Sequence, residues 1–425
     1  MLAPTPASPE SAGMSTTALN RLEAHLKTRY IDGGRFPGTQ LLIYRRGKIV
    51  HSTVQGFADL ERKVPVKDDT IFRIYSMTKP ITSVAFMMLV EEGKVALDEP
   101  VAKYIPEWKN LGVFVAGTAP AFLTRPPSRP MLIVDLLRHT SGLTYGFQQR
   151  SNVDAAYREN KIGEVIKAGT LDSMIEDLAK IPLEFSPGEA WNYSVATDVL
   201  GYLVGKISGI PFEQFLKERI FKPLGMNDTD FFVPADKVHR FAACYSADPQ
   251  GGFNPLAAAE RKGTLTLQDD PATSSFLSPP SLISGGGGLC STASDYLTFC
   301  RALLNGGELG GVRLLGPKTL KLMASNHLPG GVDLPAMSRS LFSEAAYNGI
   351  GFGLGFAVTM HPAQTLIAGS PGEFNWGGAA TTSFFIDPAE ELITIFMTQV
   401  LPSSAYPLRR ELRTMVYAAI TESNL

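Results

Sequence analysis

The hydrophobic pattern of the chain predicts β-strands towards both ends and helices in the middle. Short runs rich in β-branched and aromatic residues, bounded by turn-forming residues, indicate strands. These runs are 39–44, 48–54, 351–360, 379–386 and 391–398. The first two are joined by Arg45-Arg46-Gly47 and predict a hairpin. We expect strands from the two ends to pair in one antiparallel sheet flanked by helices.

Apolar residues at helical spacing predict helices over much of the remaining chain. The helical segments are 15–29, 77 to a stop at Gly93, 131–142, 170–224 with an interruption at 188–193, and 408–420. Segment 109–130 is rich in Pro, Gly and Ala, which predicts an irregular connection. Its length favours a lid or a binding loop. Residues 245–284 are rich in Pro, Ser, Asp and Gly and predict no clear element.

The arrangement of these elements predicts two domains. A chain of 425 residues is long for a single hydrophobic core. We expect residues 1–75 and 285–425 to form an α/β domain around the antiparallel sheet, and residues 76–284 to form a mainly helical domain inserted into it. Clefts between domains are common ligand sites, so the active site is expected there.

Composition excludes several classes of function. The chain carries 39 basic and 41 acidic residues with no block of either sign, which argues against nucleic acid or an anionic membrane as a partner. No apolar run is long enough to span a bilayer, and the N-terminus lacks the features of a signal peptide, so a cytoplasmic enzyme is expected. Cys244, Cys290 and Cys300 match no metal spacing and are expected to be free or buried thiols. We expect no metal and no cofactor.

A hydroxyl and an amine at the start of an apolar helix are the first candidates for chemistry. Ser76 and Lys79 are three residues apart and therefore share one face of a helix. A helix N-terminus also offers N–H groups that favour negative charge. Acyl transfer by a nucleophile requires such a hydroxyl, a base and an oxyanion donor. The Ser-x-x-Lys pattern alone is weak, because it more often marks an ordinary helix start.

Further candidates lie later in the chain. Tyr193 stands at a loop-to-helix junction, and the glycine pair after Trp376 would let a ligand approach the backbone of the strand that follows.

Four glycines at 285–288 precede a helix. They lack the Lys-Ser/Thr of a phosphate loop, so we interpret them as close backbone packing against the site. His139 is a possible triad base.

Taken in order, these motifs resemble the serine β-lactamase and penicillin-binding-protein superfamily. The closest similarity is to its class C-like branch, which includes the family VIII carboxylesterases and the fungal acyltransferase of statin biosynthesis. The stretches that carry the resemblance are Phe72–Pro80, Leu136–Leu143, Pro187–Tyr193, Pro223–Met226 and Gly286–Asp295. The resemblance as a whole covers nearly the whole chain.

The resemblance implies a fold and a set of roles. The fold class is α/β (α+β), a class C β-lactamase-like antiparallel sheet flanked by helices with an inserted all-helical domain. Ser76 would be the nucleophile, with Lys79 and Tyr193 as its base pair, and the N–H groups of Ser76 and Ala379 would form the oxyanion hole. The residues expected to contact the substrate are Trp376, Gly377, Gly378 and Tyr145. His139 falls in a segment that the family uses for packing, so a structural role is expected.

Two departures from the β-lactamase pattern bear on the substrate. Val195 stands where β-lactamases have Asn, and Trp376 stands where they have the Lys that engages a carboxylate. Lys318-Thr319 is followed by Leu320 and does not supply that motif. An apolar Trp in place of a cation favours neutral esters of short to medium acyl length. The prediction is a carboxylesterase that acts on a small-molecule ester, with at most weak β-lactamase activity.

Other activities remain open from the sequence. A β-lactamase or D-amino-acid peptidase or amidase would share the nucleophile, and an acyltransferase could use segment 109–130 to frame a bulky acceptor. A catalytically silent binding protein is disfavoured, because Ser76, Lys79 and Tyr193 are all present. The nucleophile elbow of α/β-hydrolases and the His-Glu-x-x-His metal motif do not occur in the sequence. The oligomeric state is not predicted.

Overall fold

The computed structural model describes residues 6–164, 169–247, 264–339 and 347–425. Its strands in chain order are β1 Gly38–Arg45, β2 Lys48–Asp59, β3 Val64–Pro65, β4 Phe72–Arg73, β5 Val113–Thr118, β6 Ala121–Arg125, β7 Cys244–Ser246, β8 Thr266–Asp269, β9 Cys290–Ser291, β10 Glu308–Leu309, β11 Val312–Arg313, β12 Ile350–Phe352, β13 Ala357–Thr359, β14 Phe374–Gly377, β15 Ser383–Asp387, β16 Leu392–Met397 and β17 Val400–Leu401.

The α-helices lie mostly in the middle of the chain, between β4 and β12. They are α1 Thr16–Leu26, α2 Thr78–Glu91, α3 Ile133–Leu137, α4 Asn152–Glu159, α5 Leu171–Leu178, α6 Ala196–Ser208, α7 Phe212–Leu216, α8 Lys222–Leu224, α9 Ala293–Leu304, α10 Pro317–Met323, α11 Leu334–Met337, α12 Pro362–Thr365 and α13 Leu408–Ala418. No helix in the described ranges has both the length and the apolar character needed to cross a membrane.

An eight-stranded antiparallel sheet joins the two ends of the chain, as the sequence predicts. Its strand order is β12-β13-β14-β15-β16-β1-β2-β3, with β1 directly beside β16. Gln40 is opposite Met397, and Arg45 is opposite Leu392. The β1–β2 hairpin forms at the predicted turn.

The two faces of the sheet bury different sets of side chains, because successive residues of a strand point to opposite faces. Leu41 and Ile43 of β1 belong to the apolar cluster formed with α1 and α13. Leu42 and Tyr44 face the larger cluster that contains α2, α6 and α9. Within α2 every residue from Thr78 to Leu89 is buried. A helix that is buried on all sides is typical of the centre of a large core.

Segment 109–130 is not irregular throughout, contrary to the sequence prediction. Strands β5 and β6 form a hairpin in which Val113 is opposite Arg125 and Gly117 is opposite Phe122. The rings of Phe114 and Phe122 pack across it with centroids 6.0 Å apart. Cross-strand packing of this kind stabilises strands that the local Pro, Gly and Ala content argues against.

Two other boundaries differ from the predicted ones. The strand predicted at 379–386 begins only at Ser383, and the preceding segment forms a separate strand, β14, that pairs with it. Gly377 therefore ends a strand instead of opening one. Within 245–284, β7 and β8 pair with each other, while residues 248–263 lie outside the described ranges.

Candidate active site

Ser76 lies at the start of the buried helix α2. A 3₁₀ turn at Tyr75–Met77 leads directly into α2, which brings the Ser76 and Lys79 side chains onto one face. The Lys79 Nζ is 3.4 Å from the Ser76 Oγ. Tyr75 has a φ of 42°, an unusual value for a residue with a side chain. Ser76 is half-buried and lines the cavity described below.

Lys79 is enclosed by polar oxygens and aromatic rings. It is 1% exposed, and its Nζ donates to the Gly286 carbonyl at 2.7 Å and to the Tyr145 hydroxyl at 3.0 Å. Burial lowers the pKa of Lys79 to about 7, while the negative charge of Asp198 acts in the opposite direction. Desolvation disfavours the ammonium form, so much of the amine is neutral near pH 7 and can accept a proton.

Tyr193 also contacts Ser76. Its hydroxyl is hydrogen-bonded to Ser76 and accepts a hydrogen bond from the Trp376 Nε1 at 3.3 Å. The Lys79 Nζ lies 4.4 Å from the centre of the Tyr193 ring. Burial raises the pKa of Tyr193, so this hydroxyl keeps its proton at neutral pH.

His139 has no place in this set of contacts. Its Nδ1 is 3.1 Å from the Ser194 Oγ, and its ring packs 4.9 Å from the ring of Tyr193. Burial lowers the pKa of His139 well below its usual value. The side chain is therefore a neutral group that packs against Tyr193.

The turn between β14 and β15 brings backbone close to the nucleophile. The Gly378 N–H donates to the Thr382 carbonyl at 2.8 Å, so it is engaged within the turn. A Cβ at Gly378 would lie 2.4 Å from the Ile74 carbonyl oxygen, two residues before Ser76. Only glycine permits this approach. Ala379 follows in the same turn and lines the cavity.

A cavity of about 270 Å³ opens in front of Ser76, Tyr193 and Trp376. Trp376 is 9% exposed and turns its indole N–H towards the Tyr193 hydroxyl. The other lining residues are Tyr75, Tyr145, Phe147, Gly163, Ser284, Gly286, Gly287, Tyr347, Ile367, Asn375, Gly377, Gly378, Ala379, Ser383, Phe384, Phe385, Ser403, Arg409, Arg410, Leu412 and Arg413. All predicted site residues except Lys79 thus line one cavity, and Lys79 lies directly behind it.

Sequence reasoning missed part of the Lys79 surroundings. Tyr145 was expected only to contact the substrate, yet its hydroxyl also bonds to Lys79. Asp198 was not expected there, and Gly286 was expected to pack against the site but not to accept a hydrogen bond from Lys79. A lone acidic residue within the apolar sequence Val-Ala-Thr-Asp-Val-Leu-Gly was the available signal for Asp198. The described residues contain no cluster of three or more His, Cys, Asp and Glu side chains that could hold a metal ion.

A comparison with known protein families identifies the family of this chain. The profile of the beta-lactamase family matches residues 19–418. The chain belongs to the beta-lactamase family. The protein is accordingly a serine hydrolase of the β-lactamase and penicillin-binding-protein superfamily.

The family relatives include proteins named as esterases. Protein Rv1367c of Mycobacterium tuberculosis is 37% identical over 374 residues, which cover 87% of this chain and 88% of the relative. Esterase EstB of Burkholderia gladioli is 32% identical, with 90% and 91% coverage. Among solved structures, EstCE1, described as a hydrolase with promiscuous acyltransferase activity, is 26% identical, with a TM-score of 0.75 and coverage of 96% and 99%. The β-lactamase-like fold expected from the sequence is thereby confirmed.

Proposed function

We propose that this protein is a carboxylesterase that forms an acyl-enzyme on Ser76. The observation that carries the proposal is the contact of the Ser76 hydroxyl with both the Lys79 amine and the Tyr193 hydroxyl at the mouth of a mainly apolar cavity. The 32% identity to Esterase EstB over nearly the full chain supports ester hydrolysis.

In the acylation step, the Ser76 Oγ attacks the ester carbonyl while its proton passes to the neutral Lys79 amine. The backbone N–H groups of Ser76 and Ala379 stabilise the tetrahedral oxyanion. This role suits Ala379 because the neighbouring Gly378 N–H is already bonded to Thr382. The Tyr193 hydroxyl, which holds its proton at neutral pH, gives that proton to the leaving alcohol. It is reprotonated by the proton that Ser76 passed to Lys79, so both groups return to their starting states.

In the second step, water hydrolyses the acyl-enzyme. The neutral Lys79 amine accepts a proton from the attacking water, and this proton passes to the Ser76 oxygen as its bond to the acyl group breaks and the acid leaves. Access of an alcohol in place of water would give acyl transfer, the side activity named for EstCE1. Hydrolysis and transfer therefore differ only in the acceptor that enters the cavity.

Trp376 supports a preference for neutral esters of short to medium acyl length. Its indole presents apolar area to the cavity, and its one donor is directed at Tyr193. A charged group placed against this surface would lose its hydration without an ionic partner from Trp376. We therefore expect neutral acyl groups to bind here.

One observation favours a second candidate, a β-lactamase or peptidase acting on substrates with a carboxylate. Arg409 of α13 lines the same cavity, and its Nη2 donates to the Gly378 carbonyl at 3.1 Å. A guanidinium at this wall could engage a substrate carboxylate. A carboxylesterase should react faster with a neutral ester, and a β-lactamase or peptidase with a substrate that carries a carboxylate.

Two experiments test the proposal. Incubation with a fluorophosphonate probe should add one label to the wild-type protein, as measured by intact mass, and Ser76→Ala should remove it. Ser52→Ala on the exposed side of β2 is the matched control and should label normally. Labelling that persists in Ser76→Ala would contradict the nucleophile assignment.

The substrate assignment requires kcat/KM for p-nitrophenyl esters and a chromogenic cephalosporin with wild type and Trp376→Lys. We expect wild type to prefer the esters and the variant to lose ester turnover while its affinity for the cephalosporin rises. A charge-assisted hydrogen bond to a carboxylate is worth about 1.5–3 kcal/mol. A wild-type preference for the cephalosporin would favour the second candidate.

A further inference from the structure

Asp198 is a buried carboxylate to which the proposed mechanism gives no role. It lies in the first turn of α6, five residues after Tyr193, and is 2% exposed. One of its oxygens, Oδ1, accepts hydrogen bonds from the Ser284 hydroxyl at 2.6 Å and from the Gly286 N–H at 3.0 Å. Burial raises the pKa of Asp198, and the charge of Lys79 and the hydrogen bonds from Ser284 and Gly286 oppose that rise and favour the carboxylate.

The peptide groups of Gly286 connect this carboxylate to the candidate base. The Gly286 N–H donates to Asp198, and the Gly286 carbonyl accepts from the Lys79 Nζ at 2.7 Å. A Cβ at this position would lie 2.5 Å from the Asp198 Oδ2 and 2.9 Å from the Tyr145 hydroxyl. Only glycine allows the carboxylate, the Tyr145 hydroxyl and the amine to meet here.

We propose that Asp198 is a positioning residue whose buried negative charge, held against Gly286, sets how readily Lys79 accepts the proton of Ser76. This inference rests on the proposed function, in which Lys79 is the base. When the proton reaches Lys79, the resulting ammonium ion and the Asp198 carboxylate form a pair of opposite charges inside a poorly hydrated site. Such pairs interact strongly in a low-dielectric environment.

The direction of the effect follows from the groups that face Lys79. Ser76, just before α2, and the two tyrosines, Tyr145 and Tyr193, are neutral at pH 7, and His139 after α3 is kept neutral by burial. Arg409 of α13 is the cationic group that acts on Tyr193. Asp198 is the carboxylate that stabilises the charged form of Lys79, against the effect of burial.

Removing this negative charge must therefore lower the pKa of Lys79. Because the neutral amine is the reactive form, the rate of Ser76 acylation rises with pH through that pKa. The midpoint of the rise should move to lower pH in Asp198→Asn. The amide is close in shape to the carboxylate, and its oxygen can still accept from the Ser284 hydroxyl and the Gly286 N–H.

A purely structural role is the alternative explanation. An acidic residue in the first turn stabilises a helix by interacting favourably with the helix dipole. Asp198 also holds the turn that carries Gly286 through its hydrogen bonds. Asp295 offers a matched control, since it lies at the same position of α9 and accepts from the Thr229 hydroxyl and the Asp228 N–H. Loss of a structural carboxylate would change stability or amplitude without moving the midpoint.

The experiment measures the rate constant of Ser76 phosphonylation by a fluorophosphonate from pH 5 to 9, using intact mass. We expect a wild-type midpoint near pH 7, a midpoint at least about one pH unit lower in Asp198→Asn, and a wild-type midpoint in Asp295→Asn. Asp198→Glu, which keeps the charge, should stay closer to wild type than Asp198→Asn.

The outcomes separate this inference from the proposed function. If wild-type Ser76 is not labelled at any pH, the proposed function fails. If all variants are labelled and the Asp198→Asn midpoint equals that of wild type, the proposed function stands and this inference is overturned. Should Asp198→Asn not fold, Asp198→Ser provides a smaller neutral side chain for the same comparison, with thermal melting of each variant measured beside the rates.

Discussion

Lys79 contacts Ser76 and lies in surroundings that favour the neutral form of its amine. Its amine lies between the rings of Tyr145 and Tyr193, at 5.2 and 4.4 Å from their centres. The Tyr193 hydroxyl is also hydrogen-bonded to Ser76. Because both groups bond to one Ser76 hydroxyl, we expect them to act as a unit on a single proton.

This shared proton leads to a prediction about two variants. Lys79→Ala and Tyr193→Phe should each lower kcat for a neutral ester by about 10²–10⁴-fold, the usual contribution of acid–base groups. The double variant should be little worse than the poorer single variant, since residues that act together are strongly non-additive. Steady-state kinetics on all four proteins measures this, and multiplicative losses would show that the two groups do not share the proton.

At the scale of elements, the turn that contains Gly286 positions the base from outside its own helix. The turn contacts α2 through Lys79 and α6 through Asp198, so three separate parts of the chain meet at one residue. A side chain at this point would force the turn away from the carboxylate. The turn is therefore as important for the site as the helix that carries the nucleophile.

Gly286→Ala tests the importance of this turn. We expect kcat to fall by at least about 10²-fold, because the added methyl group overlaps Asp198 and moves the carbonyl that accepts from Lys79. Gly205→Ala is the matched control: its nearest neighbours would be 3.7 Å from the new Cβ, and alanine suits the interior of α6. Equal kcat values for the two variants would contradict the proposed role of the turn.

The sequence predicts those parts of the site whose spacing is local. Ser76 and Lys79 are one helical turn apart, so their meeting follows from the helix alone. The contact of Asp198 with Gly286 depends on how α6 packs against a distant turn, and no local pattern encodes that packing. The hairpin within 113–125 was missed for the same reason, because its strands are stabilised by pairing that local composition does not reveal.

At the scale of the whole molecule, one apolar cluster continues from the sheet into the helices. It contains Leu42 and Ile395 from the central strands as well as Val84 of α2 and Leu203 of α6. The division into domains at 75/76 and 284/285 stays a prediction. A continuous core nevertheless favours a single cooperative unfolding transition.

Ile395→Ala tests this cooperativity. Ile395 is fully buried between Leu42 and Phe384, so the change should lower the free energy of unfolding by about 2–5 kcal/mol. The urea midpoints measured by circular dichroism and by tryptophan fluorescence should shift by the same amount. The control is Val54→Ala, at a 38% exposed position of β2, which should change the free energy of unfolding by less than about 0.5 kcal/mol. Separate shifts of the two signals would indicate that the sheet and the helices unfold independently.

The pairing of β1 with β16 has a consequence for the order in which activity arises during synthesis. Ser76 leaves the ribosome early, but the cavity wall from Trp376 to Ala379 and the strand β16 that attaches it to β1 are among the last parts made. A growing chain therefore carries its nucleophile without the opposite wall or the backbone beside it. We expect ribosome-bound chains that end before β14 to resist a fluorophosphonate, and completed chains to react as soon as the C-terminal strands have joined the sheet.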